Sequence, residues 1–566
     1  MKKVIPVVIA IALIIIIFAL SFGKGLYEKY SYGHDYADLN DYFEIFTKDD
    51  VPIILQNEKI GMNAKLYDGN LYFDREIVEE LFTERFYLDT NEGLLLYSNP
   101  TTTYESAVDG KTSTDVKTGE SKDYGYVISY IKNDKLYIAA DYIKQFVNFS
   151  YEVFDDPHRV QVYTEWGARN IATIKSDTQV RRKGGVKSEI LCDISEGTTV
   201  EIIEPMDEWT KVKTDDCFIG YVENFRLKDE RTDSLTPVND AAKEDFNYLT
   251  RDHKINLTWH NIEFAMGGSE LRSAVSGTKA LNVISPTWYW LVDNEGSFTH
   301  VANVDYTNAA HDMGLEVWAL ISDFHTGVEI DDYEILSYTS KRRNLVSELV
   351  ASVLSYGADG INVDFEYVTS QCADSYVQFI RELAIACHEN NLVISVDNYV
   401  PTEYTAHYNR HSQGEFVDYI IIMGYDEHYK GSPEAGSVSS IPWMQKGIET
   451  TINLVPKERV INAIPFYTRV WKTEGEELTS EAVTMEVSQD FLKRNGIETK
   501  WDETTYQNYG EATIGGVYYQ VWMEDKDSIE VRLNVMKQAG VAGVASWKLG
   551  QETPDIWDCI EAYMNQ

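Results

Sequence analysis

Basic residues are scarce in this sequence: 50 Lys and Arg stand against 91 Asp and Glu, for a formal charge of -41. A phosphate backbone is bound by neutralising it with Lys and Arg, so this balance excludes nucleic acid as a partner. Cysteine is scarce as well. Cys192, Cys217, Cys372, Cys387 and Cys559 form no CxxC pair and have no histidine at ligand spacing, which removes a zinc site and a dense disulfide framework. Cys192 and Cys217 fall in one short segment and are expected as separate thiols; a bridge stays open, because sequence does not give the Cα separation it requires. No metal or other cofactor is called for. What abounds is ring surface, with 13% aromatic residues, 38 Tyr and 12 Trp in a chain that is 44% hydrophobic. Such a composition folds, and planar, partly polar rings suit the faces of sugars. At 566 residues the chain is long enough for several domains, one of them a barrel of the ~250-residue class.

One apolar run is long. After Lys2 and Lys3, Val4 to Phe22 carries no charge, about the length that crosses the hydrocarbon of a bilayer as a helix. Residues 1–24 are therefore expected as a single-pass membrane anchor with the rest of the chain outside the cell, secretion after signal cleavage being the alternative.

Residues 38–165 hold short alternating apolar runs, among them Val51-Pro-Ile-Ile-Leu55, Asn70-Leu-Tyr-Phe73 and Lys135-Leu-Tyr-Ile-Ala139. The last two are each followed by a helix-like stretch, 75–82 and 140–147, so a small α+β unit looks duplicated. The pattern resembles the copper amine oxidase N-terminal-like domain, without the histidines that would bind copper. Residues 169–228 form a second block of strands and turns, with Val180-Arg-Arg, Glu196-Gly-Thr-Thr-Val200, Glu208-Trp209 and Gly220-Tyr221-Val222. This block resembles a bacterial SH3 domain, a small β-barrel, which implies a cell-wall peptide as partner; Trp209 as plain core is the competing reading. Residues 229–249 are charged, lack an apolar period and read as a linker.

From residue 250 to 566, eight strand-like runs alternate with helical ones: 255–259, 280–285, 316–321, 360–367, 392–397, 419–423, 460–464 and 543–547. Eight strands at that spacing give an α/β fold, a (β/α)8 TIM barrel whose reactive groups belong at strand C-terminal ends. In the run Asp359-Gly-Ile-Asn-Val-Asp-Phe-Glu366, alternation puts Asn362, Asp364 and Glu366 on one face and Ile361, Val363 and Phe365 on the other. A barrel interior is normally filled with branched apolar side chains, and two carboxyls with an amide there cost several kcal/mol unless paired. That points to chemistry, with a buried structural network as the alternative.

The run 359–366 is similar to the D-G-x-D-x-D-x-E signature of glycoside hydrolase family 18, the chitinase-like barrels. Met423-Gly-Tyr425-Asp426 resembles its sixth strand, Pro465-Phe-Tyr467-Thr-Arg469 its seventh and Ala545-Ser-Trp547 its eighth, across residues 250–566. With the SH3-like block the sequence most resembles the bacterial branch of spore-cortex and cell-wall N-acetylglucosaminidases. The resemblance implies a retaining hydrolase without an enzyme nucleophile, in which the substrate's N-acetyl oxygen attacks the anomeric carbon. Glu366 is then the acid, Asp364 and Tyr425 position the acetamido group, and Trp547 is the floor under the sugar. Asn362, Asp359, Met423, Asp426, Tyr467 and Arg469 become candidate substrate contacts. The sequence departs at Asn362, where the family has a second inward Asp that can share a proton with its neighbour; an amide cannot take up charge. The implied partner is an N-acetylglucosamine polysaccharide, peptidoglycan or a chitin-like polymer. A non-catalytic, lectin-like barrel that only binds glycan is the alternative.

Overall fold

In the computed structural model the described residues are 4–324 and 327–565, the side chains of 4–7, 25, 26 and 28 excepted. The apolar runs beyond residue 250 become eight strands: β1 Ile255–His260, β2 Val283–Leu291, β3 Glu316–Ser322, β4 Gly360–Asp364, β5 Val393–Tyr399, β6 Tyr419–Met423, β7 Val460–Pro465 and β8 Gly543–Trp547. Neighbours pair in parallel all the way round, and β1 bonds both β2 and β8, which closes the sheet. This is the TIM barrel that the strand spacing anticipates.

Alternation along each strand sorts its side chains into two cores. Leu257, Trp259, Trp318, Leu320, Tyr419, Ile421 and Ile461 fill the barrel interior, while Ile361, Val363 and Phe365 pack outward under the helices. Two strand limits differ from expectation for local reasons. β2 starts later than residue 280, because Ala280 adopts a left-handed φ of 51° that no strand tolerates. β4 stops at Asp364 rather than Tyr367, because the N–H groups of Glu366 and Tyr367 turn to the Asp323 carboxylate, at 3.0 and 2.6 Å, instead of a neighbouring strand. Between β7 and β8 the chain inserts a five-stranded antiparallel sheet within 467–522, carrying the helix Met485–Asn495.

The chain divides into two compact units. The barrel's unit comprises 85–107, 113–122 and 244–566, so a piece of the span expected as one N-terminal module belongs to the barrel's unit. Its strands Phe86–Asp89, Leu94–Ser98 and Thr103–Ala107 run as an antiparallel meander. The helix Thr339–Ser355 has no cap of its own, since Tyr338 at its start makes no side-chain bond. Asp89, fully buried, supplies the missing acceptor: its carboxylate takes the Thr339 N–H at 2.7 Å and the Thr339 hydroxyl at 2.6 Å. The Glu92 carboxylate accepts the next N–H, that of Ser340, at 2.9 Å.

The other unit, 1–84, 108–112 and 123–243, carries two seven-stranded sheets. In the first, the two repeat-like runs pair with each other, Phe73 opposite Ile138 and Tyr72 opposite Ala139, and each leads into a short helix, Arg75–Leu81 and Ala140–Ile143. The second sheet spans 168–234. Gly220 in it is obligatory, since a Cβ there would lie 2.5 Å from the Arg181 carbonyl oxygen. The strand Leu227–Ser234 pairs with Ala168–Ile174, so the first part of the expected linker is sheet. All five cysteines are free thiols.

The membrane anchor requires correction. Lys2 and Lys3 lie outside the described residues. Among the described residues, no helix is long and apolar enough to cross a membrane.

Candidate active site

The C-terminal ends of the barrel strands surround a cleft of about 580 Å³. β4 sends Asp364 into it, and Glu366 follows two residues on; β5 adds Asp397 and Tyr399, and the end of β6 adds Met423, Tyr425 and Asp426. Trp259, Trp290, Phe264, Phe324 and Trp547 give the cleft its aromatic surface. Among the described residues, no lysine or arginine lines it.

Burial sets the electrostatics. Glu366 accepts a hydrogen bond from the Tyr399 hydroxyl at 2.7 Å. Burial lifts its carboxyl above the usual range, the Tyr399 bond opposes the rise, and the charges of Asp323 and Asp426 add to it. Asp364 is driven well above its ordinary value by burial first, then by Glu366, Asp397 and Asp323. One of its oxygens, Oδ1, is buried without a hydrogen-bond partner, a rare state for a carboxyl unless something else completes it. Asp397 is likewise held well above its ordinary value by burial, against the hydrogen bond of Asn362. The phenol of Tyr425 is pushed far upward by burial, so it stays a donor. Under the cleft floor a second acidic pair supports β4: Asp323 carries the Glu366–Tyr367 turn, and burial beside Asp323 pushes Asp332 up to about 9.

Of the residues singled out from sequence, Asp364, Glu366, Met423, Tyr425, Asp426 and Trp547 come together in the cleft. Four do not line it. Asp359 precedes β4 and so lies at the strand end away from the cleft, where its carboxylate binds the His311 ring at 2.8 Å and the Val317 N–H at 2.8 Å. Its place as a substrate contact is withdrawn, since motif membership does not say which end of a strand a residue marks. Asn362 is fully buried beneath the cleft, accepting from Trp259 Nε1 at 2.8 Å and Ser285 at 3.1 Å and donating to Asp397 at 2.9 Å and Ser395 at 3.0 Å. Tyr467 acts through Asp426, to which its hydroxyl donates at 2.5 Å. Arg469 stands on the first strand of the inserted sheet, bonded to Ser480 at 3.0 Å, and its charge holds Asp426 down against burial and alongside Tyr467. Asp397, Tyr399, Asp323 and Trp259 are additions that sequence reasoning missed. The first two share the inward parity of β5 with Val393 and Ser395, the same alternation that exposed β4. Among the described residues, no group of three His, Cys, Asp or Glu is arranged to hold a metal ion.

Residues 281–552 match the model of Glycosyl hydrolases family 18. The barrel is a glycoside hydrolase. Its relatives include the cortical fragment-lytic enzyme of Bacillus subtilis (strain 168), 29% identical over 242 residues, which is 41% of this chain and 56% of that one. The chain thus spans little more than half the length of that relative. An uncharacterized glycosylase, YvbX, of the same organism is 24% identical over 268 residues, 44% of this chain and 74% of the other. A crystal structure of a chitinase from Chromobacterium violaceum ATCC 12472 shares the fold with a TM-score of 0.50 at 20% identity, over 55% of this chain and 99% of that chain. The Bacillus cereus spore cortex-lytic enzyme SleL does so with a TM-score of 0.50 at 19% identity, over 58% and 76%.

Proposed function

We propose that the hydrolase cleaves β-1,4 bonds after N-acetylglucosamine, in peptidoglycan or a chitin-like glycan, by a retaining, substrate-assisted route. The observation that carries this reading is the pairing of Glu366 with Asp364 on one strand end, in one cleft, with burial raising the proton affinity of both carboxyls. Glu366 in its protonated form hands a proton to the glycosidic oxygen as that bond breaks, while the acetamido oxygen of the same sugar bonds to the anomeric carbon. Asp364, with an unpartnered buried oxygen, receives the acetamido N–H and stabilises the positive charge that develops there. Tyr425 donates its phenol hydrogen to the acetamido oxygen. Glu366, now a carboxylate, takes a proton from the water that opens the cyclic intermediate, which restores both the acid and the anomeric configuration. Trp547 and Trp259, whose rings meet at 5.8 Å, supply the apolar floor.

Peptidoglycan is the favoured polymer, supported by the cortical fragment-lytic relative. The division proposed for the rest of the chain is a copper amine oxidase N-terminal-like module within 38–165, without the 85–107 and 113–122 that belong to the barrel's unit, and an SH3-like domain at 169–228 that holds wall peptide and extends through the strand Leu227–Ser234, which leaves 235–249 as linker. Digestion of purified peptidoglycan and of chitin oligosaccharides by the full chain and by Glu366→Gln, with the new reducing ends read by mass spectrometry, tests the activity. Reducing-end N-acetylglucosamine from peptidoglycan with the unaltered protein alone is expected. Release from chitin alone moves the substrate, and retained binding without cleavage by either protein makes the barrel a glycan receptor.

A further inference from the structure

The carboxyl that Asn362 cannot provide on β4 stands one strand over, on β5. The parallel register pairs Asn362 with Ser395 and Val363 with Val396, so the next step along both strands sets Asp364 beside Asp397. Adjacent strands lie about 4.8 Å apart, within reach of a hydrogen bond between two carboxyls when one of them holds a proton. Both side chains line the cleft, and both are buried. Asn362 fixes the geometry. Its oxygen is committed to Trp259 and Ser285, which leaves its NH2 facing Ser395 and Asp397. One oxygen of Asp397 therefore receives an amide hydrogen, while Oδ1 of Asp364 is left without a partner.

We propose that Asp397 is a positioning residue of the hydrolase, its carboxyl sharing a single proton with Asp364 across the β4–β5 pair, with Asn362 as the fixed donor that orients it. The proposal rests on the substrate-assisted reading for its mechanistic meaning. One shared proton leaves one negative charge on the pair, which is what the acetamido group requires as it becomes positive. Two negative charges would be costly in a cleft whose other acids are Glu263, Glu366 and Asp426 and whose lining, among the described residues, holds no lysine or arginine. No negative charge would leave the developing cation unsupported. As the acetamido N–H settles on Asp364, the proton stays with Asp397, so no proton enters or leaves the pair during the reaction.

The test compares the full chain with D397N and with the double variant D397N/N362D, which returns a carboxyl to β4. For hydrolysis of chitin oligosaccharides, kcat of D397N is expected to fall at least about tenfold with KM within about twofold, and N362D in that background is expected to restore kcat to within about threefold of the starting value. A fall in D397N that the second substitution leaves untouched, or no fall, overturns the proposal. If D397N does not fold, the double variant alone decides: folded and active supports sharing across strands, folded and inactive overturns it. Infrared spectra of the unaltered protein at neutral pH give a readout independent of turnover. A protonated-carboxyl C=O band that D397N reduces is expected, and an identical band in both overturns the proposal even if the substrate reading itself fails and no glycan is cut.

Discussion

Glu366 holds a proton more tightly than a free carboxyl does, because burial outweighs the one bond that favours its charged form, the 2.7 Å contact from the Tyr399 hydroxyl. Removing that hydroxyl removes a stabiliser of the carboxylate, so the Glu366 pKa rises further. The acid must be protonated to act, and its ionisation sets the alkaline limb of the activity profile. In Tyr399→Phe that limb is expected to move to higher pH, read from kcat/KM against pH; a limb that stays or moves down contradicts the assignment. Replacing Glu366 by Gln is expected to lower kcat by about 10²-fold or more while glycan binding persists, checked by hydrolysis and by calorimetry side by side. Much at this scale was legible in sequence: parity alone separated Asn362, Asp364 and Glu366 from Ile361, Val363 and Phe365. The same parity on β5 would have found Asp397 and Tyr399, but no motif drew attention to that strand. Asp323 was not legible, since its role is to bind main-chain N–H groups of Glu366 and Tyr367, 43 and 44 residues further along.

At the level of elements, the eight strands declared themselves through branched apolar runs, and their ends were decided by contacts that local patterning does not encode. The meander 86–107 is the clearest case. Its residues read as part of an N-terminal module, yet Asp89 reaches a helix 250 residues onward in sequence. The Asp89 carboxylate accepts four hydrogen bonds, from the N–H groups of Asn91 and Glu92 and from both donors of Thr339. Asp89→Ala leaves the two buried Thr339 donors unsatisfied and is expected to cost about 2 kcal/mol or more, measured as a lowered urea midpoint with an unchanged slope. Alanine in place of the exposed Glu120, outside this contact, is the control and should leave the midpoint within error.

For the whole molecule, stability and pH are tied together by the acidic interior. Asp364, Asp397, Glu366, Asp323 and Asp332 all hold protons more tightly folded than unfolded, burial being the main cause. A group whose pKa is raised by folding stabilises fully below its unfolded value and loses that contribution as pH climbs through its folded value. The unfolded values are 3.8 for the four Asp and 4.5 for Glu366, and Asp332 reaches about 9, so the loss runs from about pH 4 to about 9. The urea midpoint is therefore expected to be higher near pH 5 than near pH 8.5, and added salt should narrow the gap by screening the formal charge of -41. A midpoint that rises across that interval contradicts the buried-acid assignment. Time enters through the meander. At about 5 to 20 residues per second of synthesis, Asp89 is made some tens of seconds before Thr339, so the meander of the barrel's unit is complete well before the helix it will cap. A gene fragment cut at the apparent start of the barrel would encode all eight strands and still omit the clasp, which makes this enzyme a poor subject for domain shuffling and its N-terminal half a determinant of how the C-terminal half is made.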